Sequence, residues 1–498
     1  MTPRRWPLAL RLGIAAAAFV AAVLAGELAL EARYGRAACA RDASAADYFK
    51  ALGAFPGDTE HSPLTDPRTL VAPKKKEPGA FRVVVIGEST AVGAPYGLDL
   101  SFGALLAEGL RAAHPGRTFE VVHVAEPGRS SRGVVNFLDD ALAAEPDVLV
   151  LYSGHNEFLQ RLTQPSPFGR THRFPWSWLP RLADAIDGLR DQGVQRRSEE
   201  IPASVRPEDR ADLALLLRTL GYGNREVVPW PNFPIAPRER EILREGYASN
   251  LERIAARARE RGVPLVAIRP ASQLRCAPIA SGASFDPAAQ RAFEAGEALV
   301  ARDASAARAR LVEARTLDPA PVRMPEDFGA AFDAAMRAAG ATVIDADAVA
   351  RRATGEALAG DRAFVDFMHP RETVHAELAA AVADALPAPG AGADAAFRAR
   401  VAEILKAHAA EIAAVDDLAA SGVQLAYLTY GNRAAAEAAG RALPEARRNL
   451  KSTLALDLAL RWGGKTAEAD ATLARALERR PEWAGAIAHW KSRAAGIR

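Results

Sequence analysis

Cysteine is nearly absent from this chain: its 498 residues hold two, Cys39 and Cys276. At most one disulfide is therefore possible, and without histidines at suitable spacing two thiols cannot build a structural zinc site. An excess of either charge is lacking too, since 63 Lys and Arg face 61 Asp and Glu for a formal net charge of +2. That balance argues against nucleic acid as a partner and against strong attraction to an anionic surface, and no basic stripe interleaved with aromatics reverses it. With 49% apolar and 25% charged residues, the composition is that of a globular protein, and disorder throughout is excluded. The length exceeds what one hydrophobic core usually holds, so two domains, or one large domain with additions, are expected.

The uncharged stretch Leu12–Gly26 falls short of the roughly 20 residues a spanning helix needs, although Pro7–Leu10 extend it if Arg11 snorkels. Arg4, Arg5 and Arg11 precede it, in the manner of a positive n-region before an apolar segment. Residues 1–30 are read as an uncleaved signal anchor, with a cleaved signal peptide as the competing reading. Either one sends the rest of the chain out of the cytoplasm. The expected location is the inner (cytoplasmic) membrane, single-pass, with the bulk of the protein periplasmic or extracellular. That compartment permits a disulfide, and a Cys39–Cys276 bridge and two unrelated thiols stand as equal readings. Residues 31–80 have no sustained periodicity and form a linker.

From Phe81 onward, short β-branched runs alternate with longer helical stretches. Strands are expected at Val83–Ile86, Glu120–Val124, Val148–Tyr152, Pro264–Ile268 and Ala341–Ile344. The first long helix begins after Ser101, a good N-cap, and stops at Gly116, a good C-cap. A last helix spans Glu372–Leu386. Continuous apolar strands between helices imply a parallel sheet covered on both faces, a three-layer α/β/α arrangement of flavodoxin-like type over residues 81–386. Residues 159–230, rich in proline, aromatics and arginine, are a candidate lid, with an irregular surface insertion as the plainer reading. Residues 287–319 are a helical insertion. After the Pro387–Gly392 linker, residues 396–498 read as an all-α C-terminal region. Ala307, Ala314 and Pro319 repeat the spacing of Ala469, Ala476 and Pro481, and Gly431 and Gly464 lie near one repeat period apart. This looks like the tetratricopeptide pattern and suggests a surface for a protein partner.

Four short motifs fall where such a sheet places its chemistry, beyond the carboxyl ends of the strands. They are Gly87-Glu88-Ser89 after the first strand, Gly128 after the second, Gly154-His155-Asn156-Glu157 after the third, and Asp366-Phe367-Met368-His369-Pro370 before the last helix. As an ordered set they resemble the blocks of the SGNH, or GDSL-like, hydrolases. The resemblance implies Ser89 as nucleophile, His369 as its base and Asp366 as the acid that orients the imidazole. It also implies an oxyanion hole from the backbone N–H groups of Ser89 and Gly128 and the side-chain amide of Asn156.

The motifs depart from the family in three places. Glu88 and Glu157 replace the usual aspartates, each with an arm longer by one methylene, so the loop scaffolding is open to change while the reacting groups remain. The second block, Ala125–Ser130, lacks the asparagine often found before its glycine. No metal is expected, because His155, Glu157, His369 and His375 lack a compact ligand motif, and no cofactor is called for. The expected activity is hydrolysis of an O-acyl ester of carbohydrate or lipid type through an acyl-enzyme. The nearest alternative is an O-acyltransferase acting on an envelope polysaccharide. An alternative of another class is a repeat-based scaffold with a vestigial esterase domain.

Overall fold

Five strands pair in parallel in the order β2-β1-β3-β4-β5: β1 (Phe81–Gly87), β2 (Phe119–Ala125), β3 (Val148–Tyr152), β4 (Leu265–Arg269) and β5 (Thr342–Asp345). The protein is represented by a computed structural model, which describes residues 24–25, 76–125, 127, 130–158, 207–220, 235, 237–279 and 287–494. Each strand lies where the β-branched runs put it, to within two residues. The central strands are apolar on both faces because both faces are covered. Val83, Val84, Val85 and Ile86 have no solvent exposure, and each such side chain contributes roughly 1.5–3 kcal/mol on burial. The edge strand β5 departs from the expected continuous burial, since only Ile344 of its four residues is buried.

Among the described residues, sixteen helices surround and extend this sheet. On one face of the sheet lie α2 (Phe102–Ala113), α9 (Ala346–Thr354) and α10 (Glu372–Ala385); on the other lie α3 (Ser131–Ala143), α5 (Pro237–Glu260) and α8 (Glu326–Ala339). The label α1 is kept for the single turn Ser89–Val92 after β1. Ser101 caps α2 as expected, its Oγ accepting Ala104 N–H at 3.1 Å. The helix ends at Ala113 with His114 as its C-cap, three residues before the expected glycine. His114 closes the last turn by donating its N–H to Leu110 O, which leaves Gly116 in the connection to β2.

The 287–319 insertion is a hairpin of α6 (Ala288–Leu299) and α7 (Ala304–Leu317). In the candidate lid, the described part is α4 (Pro207–Thr219), and it packs on the C-terminal helices through Leu213, Leu216 and Leu217. Residues 159–206 and 221–230 of that segment lie outside the described residues, as do the anchor, except residues 24–25, and most of the 31–80 linker. Among the described residues no helix is long and apolar enough to cross a membrane.

The C-terminal region comprises α11 (Ala395–Ala407), α12 (Ala409–Thr429), α13 (Arg433–Ala442), α14 (Leu450–Trp462), α15 (Thr466–Arg479) and α16 (Ala484–Ala494). Gly431 and Gly464 both take positive φ, 76° and 74°, in the turns after α12 and α14, so the residues spaced like a repeat occupy equivalent corners. Ala307 and Ala314 on α7, like Ala469 and Ala476 on α15, are buried. This region is not detached from the sheet domain. Phe397 of α11 is buried in the same core as α2 and α10, and α12 to α16 share a core with Phe367 and Ile279.

Candidate active site

Gly87 ends β1 so close to β3 that a Cβ there would stand 2.2 Å from Tyr152 O. Only glycine allows the strands to approach that closely at this point, and Ser89 follows at the head of α1. The Ser89 hydroxyl is 2.8 Å from His369 Nε2, and His369 Nδ1 is 2.7 Å from Asp366 Oδ2. A carboxylate can only accept, so Nδ1 carries the imidazole proton and Nε2 faces the serine as a base.

The His369 loop is a tight turn closed on itself. Val365 N–H donates to His369 O at 3.0 Å, and Phe364 and Pro370 form an antiparallel bridge. Asp366 Oδ1 accepts the N–H groups of Met368 at 2.9 Å and His369 at 2.8 Å. One short segment thereby delivers acid and base to a single point. Burial would raise the Asp366 pKa, but the His369 charge and these hydrogen bonds outweigh it and hold the carboxyl below its ordinary value. Burial opposes the charged form of His369 as well, and Asp366 reverses it, so the imidazole titrates above its ordinary 6.5.

The two glutamates that replace aspartates have definite tasks. Glu88 accepts three backbone N–H groups of the loop after β3: Gly154 at 2.5 Å, His155 at 2.8 Å and Asn156 at 3.2 Å. Its neighbour in sequence is Ser89, so one side chain fixes the Asn156 loop relative to the Ser89 hydroxyl. Glu157 accepts Ser131 N–H at 2.7 Å and Ser131 Oγ at 3.0 Å, tying the same loop to the start of α3. Both carboxyls are fully buried, and desolvation, only partly offset by the donors, pushes Glu88 up to about 7 and Glu157 up to about 8.

Ser89, Asp366 and His369 are thus brought together, and buried Asn156 sits in a loop bound to Glu88. Gly128 lies outside the described residues, between β2 and α3. Groups that the motifs did not reveal come from the loop after β4. Gln273 donates its side-chain N–H to Asp366 O at 3.0 Å and its backbone N–H to Phe367 O at 3.1 Å. Arg323 holds that loop in turn through Gln273 O and, at 2.7 Å, Cys276 O. Cys276 is a buried free thiol, and Cys39, its candidate partner, lies outside the described residues. His155 is buried and neutral, its pKa lowered by desolvation to about 3, with Nδ1 accepting Met324 N–H at 3.3 Å. Among the described residues no group of three His, Cys, Asp or Glu side chains converges as a metal cradle. A cleft of about 650 Å³ opens behind the His369 loop, walled by Phe364, Val365, Arg371 and the C-terminal helices; neither Ser89 nor His369 lines it.

The model of the GDSL-like lipase/acylhydrolase family matches residues 85–287. Solved structures similar to this chain include LAE5, an α/β hydrolase from the metagenome of Lake Arreo, Spain, at 14% identity and a TM-score of 0.31, covering 65% of this chain and 96% of that one. The acetylxylan esterase Axe2 of Geobacillus stearothermophilus is 13% identical with a TM-score of 0.30, over 61% of this chain and 92% of its own. TesA is 14% identical with a TM-score of 0.28, over 66% and 98%. No curated protein matches the chain in sequence. The matched segment runs from the Ser89 strand through β4, so residues 85–287 are similar to the GDSL-like lipase/acylhydrolases, and the chain is an ester-hydrolysing enzyme.

Proposed function

We propose that the enzyme cleaves an O-acyl ester of a carbohydrate or lipid in the cell envelope through an acyl-enzyme on Ser89. The observation that carries this reading is the unbroken hydrogen-bond chain from Asp366 through His369 to Ser89. A serine hydroxyl is a weak nucleophile at its free pKa and needs such a base. His369 Nε2 takes the Ser89 proton as Oγ attacks the acyl carbon, and Asp366 stabilises the imidazolium that results. His369 returns the proton to the departing alcohol, then activates water for the second half-reaction.

The N–H of Ser89 and the amide of Asn156 are the donors assigned to the oxyanion, with Gly128 as the third. Asn156→Ala is expected to lower kcat by about 10²–10³-fold, roughly 3–4 kcal/mol, with little change in KM, because that donor acts mainly on the developing charge. Steady-state kinetics on a small ester check this, and an unchanged kcat removes Asn156 from the mechanism.

Labelling with a fluorophosphonate followed by a screen of acetyl and longer acyl esters tests the reading as a whole. Repeating the assay with a sugar acceptor separates hydrolysis from acyl transfer to an envelope polysaccharide. A vestigial domain predicts neither labelling nor turnover.

The envelope location rests on the arginines ahead of Leu12–Gly26. Reporter fusions at Gly392 are expected to be active when the reporter works only in the periplasm and silent when it works only in the cytoplasm. The reverse pattern contradicts the assigned topology. The C-terminal helices, with glycine corners after α12 and α14, are proposed to be tetratricopeptide-like and to bind a protein partner.

A further inference from the structure

Asp416, on α12 of the C-terminal region, stands between the two loops that carry the nucleophile and its base. Its Oδ1 accepts the hydroxyl of Tyr96 at 2.6 Å, and its Oδ2 accepts Arg371 Nη1. Tyr96 follows the α1 turn that begins at Ser89, and Arg371 directly follows His369-Pro370. The Tyr96 hydroxyl is also 3.2 Å from Glu372 Oε2, at the start of α10. A second contact lies about three turns further along α12. There Tyr427 sets its ring edge-on to Phe367, inside the catalytic loop, with centroids 5.5 Å apart at 79°. The Tyr427 hydroxyl donates to Ala277 O at 3.2 Å, in the loop whose Gln273 holds the Asp366 carbonyl.

We propose that α12 is a positioning element of the active site, with Asp416 clamping the Ser89 loop to the His369 loop and so setting the Oγ–Nε2 approach. The inference rests on the serine-esterase reading and gives that reading a part outside the family's segment. None of the four sequence motifs requires a residue after Gly392, yet this geometry makes the C-terminal helices part of the working site. An exposed ion pair would contribute little, but the Arg371 and Asp416 side chains are only 24% and 12% exposed. Asp416→Asn sets an amide NH₂ against one of the two donors, Tyr96 Oη–H or Arg371 Nη1–H, so one arm of the clamp is lost and the loops keep only the longer Tyr96–Glu372 contact beside the other arm. Reaction rate depends steeply on such placement: a shift of about 1 Å costs on the order of 100-fold.

The test uses the full-length enzyme with p-nitrophenyl acetate as substrate and a fluorophosphonate as active-site probe. Asp416→Asn is expected to lower kcat and the labelling rate together by about tenfold to 100-fold, with KM within about twofold. Asp417→Asn is the matched control. Its neighbouring carboxylate accepts Arg447 Nε at 2.7 Å, away from both catalytic loops, and the variant is expected to keep wild-type kcat and labelling. Tyr96→Phe should lose part of what Asp416→Asn loses, and the double variant should be no worse than Asp416→Asn alone, because both act through one clamp. Should Asp416→Asn fail to fold, Tyr96→Phe carries the test, since it removes one hydroxyl and keeps the ring.

The inference is overturned if folded Asp416→Asn, or Tyr96→Phe in its place, retains wild-type kcat and labelling. It is equally overturned if Asp417→Asn loses as much as Asp416→Asn, which would mean general weakening of the helix. Absence of labelling in the wild-type enzyme is a separate result, and it brings down the esterase reading itself.

Discussion

Ser89→Ala is expected to abolish ester hydrolysis, with kcat falling on the order of 10⁶-fold while the protein remains folded. The size of the effect follows from the site's construction. His369 Nε2 has the Ser89 hydroxyl at 2.8 Å, and without that oxygen no acyl-enzyme forms. What survives is the background rate that donors and binding alone supply. Stability should change little. Ser89 is 7% exposed, and the turn that presents it is held by Ala91 and Val92 N–H groups on Glu88 O, which the substitution leaves in place. Hydrolysis of a small ester by the purified variant, beside its melting curve, decides the matter. Full turnover would remove Ser89 from the chemistry.

Asp366→Asn should cost about 10⁴-fold in kcat, and it should also move the pH profile. Asparagine offers His369 Nδ1 an amide that can donate as well as accept, so the imidazole is no longer held in the tautomer that turns a bare Nε2 toward serine. The sign of the pH effect follows from the pair's charges. In the wild type Asp366 holds His369 above its ordinary 6.5, so the free base, and with it activity, is lost as pH falls through that raised value. Removing the carboxylate charge lowers the His369 pKa, and the acid limb of kcat/KM shifts to lower pH. The same pairing stabilises the fold. The raised His369 contributes stability present below its unfolded pKa and lost as pH rises through the folded one. The depressed Asp366 contributes stability present above its unfolded pKa and lost as pH falls through its folded value. A pH–rate profile of the variant tests this, and an acid limb unmoved or shifted upward contradicts it.

Local chemistry made much of this legible in the sequence. Val148–Tyr152 is a strand in both readings because five consecutive apolar residues suit a strand with helices on both sides. Ser101 was readable as a cap because its hydroxyl acts within three residues of itself. That Ser89, His369 and Asp366 meet was legible through the order of their motifs, since a parallel sheet brings successive strand ends to one edge. Groups whose partners depend on the tertiary fold were not readable. The longer arm of Glu88 could be noted, but that its carboxylate gathers three N–H groups from the loop after β3 follows only once β1 and β3 are adjacent. Asp416 carries no motif at all. It lies in an alanine-rich helix far along the chain, and its tie to Tyr96 and Arg371 appears only when α12 is docked. The end of α2 was misplaced because Gly116 is a favoured stop signal, while the helix closes earlier through the backbone of His114.

An acyl-enzyme on Ser89 can be trapped before water releases it. The enzyme is mixed with p-nitrophenyl acetate, quenched in acid within the first turnovers, digested and examined by peptide mass spectrometry. One acetylated site is expected, Ser89, with no acetylated peptide at that position from Ser89→Ala. Acetylation of a different serine that tracks turnover, or steady turnover with no acetylated residue at any quench time, would contradict it.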